Sequence, residues 1–284
     1  MVSFEPYYAG RRVAFLTQHG KERVVAPVIS AALDCRVEHV TGYDTDQLGT
    51  FTREIPRAGT QLDAARRKAR IGMDLAGTPF GLASEGSFGP DPMAGFFPWN
   101  VEILVFLDDE RNLEVVGVAQ GGATSAHLLT TDQAQAEDFA RRVGFPEQYL
   151  VVRPQTQDDP RIRKGIRSWQ DFTDAFASAR RDSSDGNVFV ETDNRAHANP
   201  TRMDNIRRAA ENLAERLQSL CPACGSPGYW LVERISGLAC GCCGSPTRET
   251  SAEVYGCMKC EQRDMRAYPD SRHADPARCD YCNP

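Results

Sequence analysis

The sequence predicts an α/β fold with a mixed sheet over residues 1–220, followed by a small cysteine-rich domain over residues 221–284. Two observations carry this. Apolar runs of strand length alternate with amphipathic helical stretches through the first part. Nine of the ten cysteines lie after residue 220, mostly as Cys-x-x-Cys pairs, which is metal-binding spacing. Composition sets the class: 41% hydrophobic and 25% charged residues describe a globular chain. A formal net charge of -6 argues against a general nucleic-acid binder. No run of about 18 apolar residues occurs, so no membrane span is expected. The start lacks a basic stretch followed by a long apolar core, so a cytoplasmic location is expected.

The elements follow in order. "RRVAFLT" (11–17) reads as a buried strand, and residues 20–33 carry apolar side chains at helical spacing. Pro27 suits that helix only in its first turn. "RVEHV" (36–40) is a short strand, and 41–59 is polar, glycine-containing and irregular. A helix begins at Thr60, which forms a capping-box-like pair with Asp63. Leu62, Ala65, Ala69, Met73 and Ala76 line its apolar face, and Gly77 stops it. "PFGLAS" (79–84) is a strand that ends at Ser84-Glu85-Gly86 before a Gly/Pro/aromatic turn.

Residues 100–109 and 113–121 are antiparallel neighbours across a charged turn. A capped helix (130–144), a strand (149–154), a helix (168–181) and a strand (186–193) come next. Asn199 caps the last helix and Pro200 takes its first position. Met203, Ile206, Ala210, Leu213, Leu217 and Leu220 form its apolar stripe.

The tail holds four pairs: Cys221/Cys224, Cys240/Cys243, Cys257/Cys260 and Cys279/Cys282. Two residues between thiolates let both sulfurs reach one ion, and four thiolates close a tetrahedral structural zinc site. Eight ligands imply two Zn²⁺ ions. Sequential pairing is the first choice, with nested and interleaved pairing open. Cys242 reads as a bystander, and His273 as a loop histidine rather than a substitute ligand. So short a segment draws its folding energy from metal. It has seven Lys or Arg and eight Asp or Glu, without the basic bias of a nucleic-acid finger. A protein partner or self-association suits it better than nucleic acid.

Three groups in the first part could carry chemistry. Thr17, Gln18, His19, Gly20 and Lys21 join the first strand to the first helix, where loop amides at a helix N-terminus favour anions. Asp63 and Lys68 lie on the capped helix, and Glu85 at the end of the next strand. Arg195, His197 and Arg202 gather at the start of the last helix, a cationic group suited to phosphate.

The order and spacing of these residues over roughly 12–120 resemble the inosine-triphosphatase-like superfamily. Those enzymes cleave non-standard nucleoside triphosphates to monophosphate and pyrophosphate. Thr17, Gln18 and Lys21 match that family's first loop. Asp63, Ala65, Lys68 and Ala69 match its acidic residue and Ala-x-x-Lys-Ala helix, and Glu85 its acidic strand end. Gln18 stands where asparagine is usual, and Ser84 where many members have a second aspartate. The layout with its tail also resembles a bacterial family of unassigned function.

The resemblance implies an inosine-triphosphatase-like mixed-sheet domain acting as a Mg²⁺-dependent nucleotide hydrolase. Asp63 and Glu85 would bind Mg²⁺, with Lys68 beside them as a catalytic cation. Thr17, Gln18, His19, Lys21, Arg195, His197 and Arg202 would hold the phosphates of a nucleotide or related small molecule. The exposed-loop aromatics Phe96, Phe97 and Trp99 could stack on a base or pack in the core. The alternative is a non-catalytic protein that binds the same ligand and signals through the zinc tail.

Overall fold

The computed structural model describes residues 7–48, 59–93 and 95–283. The chain divides into two units, Met1–Ala214 and Glu215–Pro284. Most of the polar loop expected over 41–59 lies outside the described residues.

The first unit opens with β1 (Arg12–Leu16), α1 (Glu22–Leu33), β2 (Arg36–Val40), α2 (Gln61–Ala76), β3 (Phe80–Pro90), β4 (Pro98–Asp108) and β5 (Leu113–Gly122). These strands form one sheet in the order β2-β1-β3-β4-β5. β1 runs parallel to β2 and β3, whereas β3, β4 and β5 are antiparallel neighbours. The sheet is therefore mixed. α1 buries Val25, Ile29 and Leu33, one residue per turn. Pro27 is its sixth residue, beyond the first turn. α2 is closed at its start by the Thr60/Asp63 capping box and at its end by Gly77 in a left-handed conformation.

β3 is the main departure from the sequence expectation. It does not stop at Glu85 but continues to Pro90, paired with β4 residue by residue. The glycines read as a turn, Gly86 and Gly89, are strand residues opposite Glu102 and Trp99 of β4. Glu85 consequently sits mid-strand.

The second half of this unit holds β6 (His127–Thr130), α3 (Gln133–Arg142), β7 (Leu150–Pro154), β8 (Arg163–Ile166), α4 (Trp169–Asp182), β9 (Val188–Thr192) and most of α5 (Pro200–Gln218), whose last turn belongs to the second unit. The strands form a separate antiparallel sheet ordered β6-β9-β7-β8. Phe139, Leu150, Phe172, Phe176 and Val190 belong to its core cluster, which joins α3 and α4 to the sheet. β6 and β8 have four residues each, too short to show a periodicity in the sequence.

α5 lies close against β5. A Cβ on Gly117 would stand 2.5 Å from Leu213 Cβ and 2.6 Å from both the Ala209 carbonyl and the Leu213 nitrogen. Backbone atoms cannot swing aside, so Gly117→Ala is expected to destabilise the first unit by about 1–3 kcal/mol through overpacking. Thermal unfolding measures this, and an unchanged Tm would show that α5 can move away from β5.

In the second unit β10 (Trp230–Ser236), β11 (Thr250–Gly256) and β12 (Arg263–Ala267) form an antiparallel sheet in chain order. Few side chains are buried there, among them Tyr229, Leu238, Ala252 and Val254.

Candidate functional site

In the first sheet the chain passes from β1 through α1 to β2 on one side, then through α2 to β3 on the other. The strand order thus reverses around β1, and ligands of open α/β sheets bind at the carboxyl ends of such strands. β3 runs past the end of β1 there, since Phe15 pairs with Leu82. Ser84 and Glu85 lie just beyond. Lys21, the N-cap of α1, crosses the gap: its Nζ donates to Ser84 Oγ at 3.0 Å and to the Ser84 carbonyl at 3.4 Å.

The loop between β1 and α1 is tied on its other side as well. Gln18 Nε2 donates to Asp44 Oδ1 at 3.4 Å, and Thr45 Oγ1 donates to Gln18 Oε1 at 3.0 Å. His39 Nε2 lies 3.0 Å from the Thr17 carbonyl.

Glu85 pairs with Lys68 of α2, and both side chains are buried. Across the β3–β4 ladder Gly86 faces Glu102 and Glu85 faces Ile103. Directly paired residues share a face of the sheet, and successive residues alternate. Glu85 therefore points to the α2 side, where Ala83 and Ile103 pack with Ala65 and Ala69. Glu102 points to the opposite side. There Arg202 Nε of α5 donates to Glu102 Oε1 at 2.7 Å, and Asn100 Nδ2 donates to the same oxygen at 2.9 Å. Asn205 Nδ2 donates to Asn100 Oδ1 at 3.1 Å. Gly86 makes this possible, since a Cβ there would fall 2.0 Å from Glu102 Oε1.

Five ionisable side chains thus meet around the switch point. Burial lowers Lys21 from 10.5 to about 7; Arg202 and Lys68 push the same way, while Glu102 and Glu85 partly oppose them. Ser84 gives Lys21 a hydroxyl partner in place of a carboxylate.

The remaining expected phosphate ligands are placed as follows. His19 and His197, far apart in sequence, stack with ring centroids 5.1 Å apart, and Tyr149 meets His197 edge-on at 6.2 Å. His19 holds a left-handed φ of 67°. Burial, then Arg195, lowers the pKa of His197, which favours the neutral ring. Arg195 forks onto the buried Asp193, with Nε 3.0 Å from Oδ1 and Nη2 2.5 Å from Oδ2. Arg202 is 1% exposed and committed to Glu102. Both arginines pair with protein carboxylates, partners that the sequence alone does not show.

Asp63 is also elsewhere. Thr60 donates to Asp63 Oδ2 through both its amide (3.1 Å) and its hydroxyl (2.7 Å), and Arg66 lies on Oδ1 at 3.4 Å. These bonds hold its carboxyl below the usual range. Its neighbour Gln61 turns toward β3 instead, donating to the Glu85 carbonyl at 2.7 Å. The loop aromatics do not enter the core: Phe96 is 87% and Phe97 68% exposed, at the β3–β4 tip. Phe97 and Trp99 line a pocket of about 550 Å³ with Thr124 and Thr201.

In the second unit the cysteines gather into two groups, Cys221, Cys224, Cys257, Cys260 and Cys240, Cys243, Cys279, Cys282, each with its sulfurs within 4.8 Å of one another. The pairing is interleaved, first with third and second with fourth, not sequential. The physical reason is the sheet: each strand crosses from one end of it to the other, so alternate pairs meet at the same end. Sulfur separations of 3.6–3.8 Å exclude disulfides. They match the edge of about 3.8 Å of a tetrahedron with Zn–S bonds of about 2.3 Å. Each group can hold one zinc ion. Cys242 and His273 belong to neither group.

A family model described as "Domain of unknown function (DUF6671)" matches residues 68–284. The chain belongs to the DUF6671 family. No curated protein matches the chain, and no solved structure does. The DUF6671 match begins at Lys68 and takes in Glu85, Glu102, Arg202 and all eight clustered cysteines. In this DUF6671 chain, sequence reasoning missed Glu102 and Asn100. Their one signal is polarity at alternating positions of an otherwise apolar strand. No described helix is long and apolar enough to cross a membrane.

Proposed function

We propose that the first unit binds the phosphate chain of a nucleotide at the β1/β3 switch point. In this reading it hydrolyses the bond between the α- and β-phosphates, like the inosine-triphosphatase-like enzymes that residues 12–120 resemble. The observation that carries this reading is the bond from buried Lys21 across the crevice to Ser84, with Lys68 and Glu85 alongside. Lys21 at the N-terminus of α1, with Lys68 from the middle of α2 beside it, provides the positive field that a polyphosphate needs.

The metal fits only in part. Asp63 is occupied by its cap, and Glu85 and Glu102 face opposite sides of the sheet. Among the described residues the only groups of three or more potential ligands are the two cysteine groups. Mg²⁺ bound with phosphates needs only one or two carboxylates, and Glu85 offers one. Glu85 would hold such an ion, which would neutralise phosphate charge. In this reading Lys21 holds the β-phosphate, and Lys68 releases Glu85 to orient the attacking water and take its proton. The water oxygen bonds to the α-phosphorus as pyrophosphate leaves.

The test is pyrophosphate release from a nucleotide panel with and without Mg²⁺. Glu85→Gln is expected to lower turnover by about 10²–10⁴-fold in a chain that still folds by circular dichroism, with a lower Tm because buried Lys68 loses its carboxylate. No release from any nucleotide would end the hydrolase reading. A second reading, ligand binding without turnover, is favoured by the Lys68–Glu85 pair, which satisfies the carboxylate without metal. It predicts a ligand-induced rise in Tm and no product. In either reading the zinc unit is the module offered to a protein partner or a second copy.

A further inference from the structure

We infer that the two metal sites of the second unit fill and empty as a single event. The argument is topological. β10 starts beyond Cys224 of the first site and ends before Cys240 of the second. β11 starts after Cys243 of the second site and ends before Cys257 of the first. β12 starts after Cys260 of the first site and leads toward Cys279 of the second. Every strand of the sheet is thus tethered at its two ends to different metals.

The sheet has little else to hold it. Its strands have five to seven residues, and Ala252 and Val254 are the buried apolar side chains on them. A three-stranded sheet of this size with so small a core is marginal in water. Opening the first site frees one end of all three strands. The register between β11 and β12, which starts beside that site with Gly256 against Arg263, then loses its anchor, and with it the path of the chain to the Cys240–Ala274 bridge. Cys279 sits 3.6 Å from Cys243 across a separation of 36 residues, so the second site would have to close that loop unaided. Sequential pairing would have given each metal its own hairpin and no such dependence.

Nor does either site have a head start. The segment Cys-x-x-Cys-Gly-Ser-Pro occurs at 221–227 and again at 240–246. Both copies fold alike: Cys221 N donates to the Ser226 carbonyl and Gly225 N to the Cys221 carbonyl, while Cys240 N and Gly244 N do the same with Ser245 and Cys240. Half of each site is thus built from the same local turn, and the shared sheet links the occupancy of the two.

The test uses the full zinc-loaded chain, titrated with a chelator and followed by native mass spectrometry. Independent, equal sites would leave about half the chains with one zinc at half-loss, whereas coupled sites leave below about one tenth. Cys224→Ser and Cys282→Ser each remove one ligand, from different sites, and each is expected to lose both zinc ions. A dominant one-zinc species during chelation, or one tightly held zinc in either variant, overturns the inference. The chelation arm needs no variant to fold, so it decides the matter alone.

Discussion

Arg202→Ala is expected to destabilise the first unit by about 3–5 kcal/mol, the usual cost of removing one partner of a buried ion pair. At about 2–4 °C per kcal/mol for a unit of this size, Tm should fall by on the order of 10 °C. The expectation rests on the partner left behind. Glu102 is 0% exposed, Arg202 Nε is its cationic donor, and Asn100 is a neutral amide shared with the Ser87 carbonyl. Without the guanidinium a carboxylate remains buried beside Gly86. Arg202 Nη1 also donates to the Asn194 carbonyl at 2.6 Å, which loses that bond. The control is charge removal: Arg202→Met combined with Glu102→Gln should recover more than half of the loss, because burial of an uncompensated charge dominates it. A double variant as unstable as Arg202→Ala would assign the loss to packing instead.

Proton uptake at Lys21 is expected to govern ligand affinity above neutral pH. The unfolded lysine keeps its proton to about pH 10.4, whereas burial and the neighbouring Arg202 bring the folded value to about 7. Between these values the unfolded chain binds more protons, so stability rises with pH through that window. Below pH 7 both states carry the proton, and the fold bears the full cost of burying it. A bound polyphosphate reverses the preference by favouring the charged amine, so binding above pH 7 takes up a proton. Affinity for pyrophosphate should then fall by up to about tenfold per pH unit between pH 7 and 9. Lys21→Met should bind weakly at every pH and lack this additional slope. The difference between the two chains cancels the titration of pyrophosphate itself. The same variant should melt higher at pH 6, having lost a buried charge whose hydrogen-bond partners among the described residues are Ser84 atoms. Parallel pH profiles for the two chains would remove Lys21 from ligand binding.

What the sequence revealed was local. Thr60 with Asp63, and Asn199 with Pro200, are recognisable because a helix start is decided by a few adjacent residues. The Cys-x-x-Cys pairs announce metal for the same reason. What it hid depends on partners distant in the chain. Gly86 reads as a turn until β4 is laid beside it and Glu102 is found to occupy the space of its missing Cβ. Asp63 reads as a metal ligand or a cap, and its contacts with Thr60 and Arg66 show it acting as the cap. Arg195 and Arg202 read as phosphate clamps because their carboxylate partners, Asp193 and Glu102, are a fold-level fact. Metal pairing was hidden because the spacings of the four cysteine pairs suit either scheme, and strand direction makes the choice.

The interleaved order of the cysteines also fixes a timetable during synthesis. With sequential pairing the first ion could be enclosed once Cys243 had left the ribosome. As the unit is built, no group of four is complete until Cys260 has emerged, and the second waits for Cys282. Cys221, Cys224, Cys240 and Cys243 therefore pass through translation as unmetallated thiols, open to oxidation or to the wrong ion for longer than a ribbon's would be.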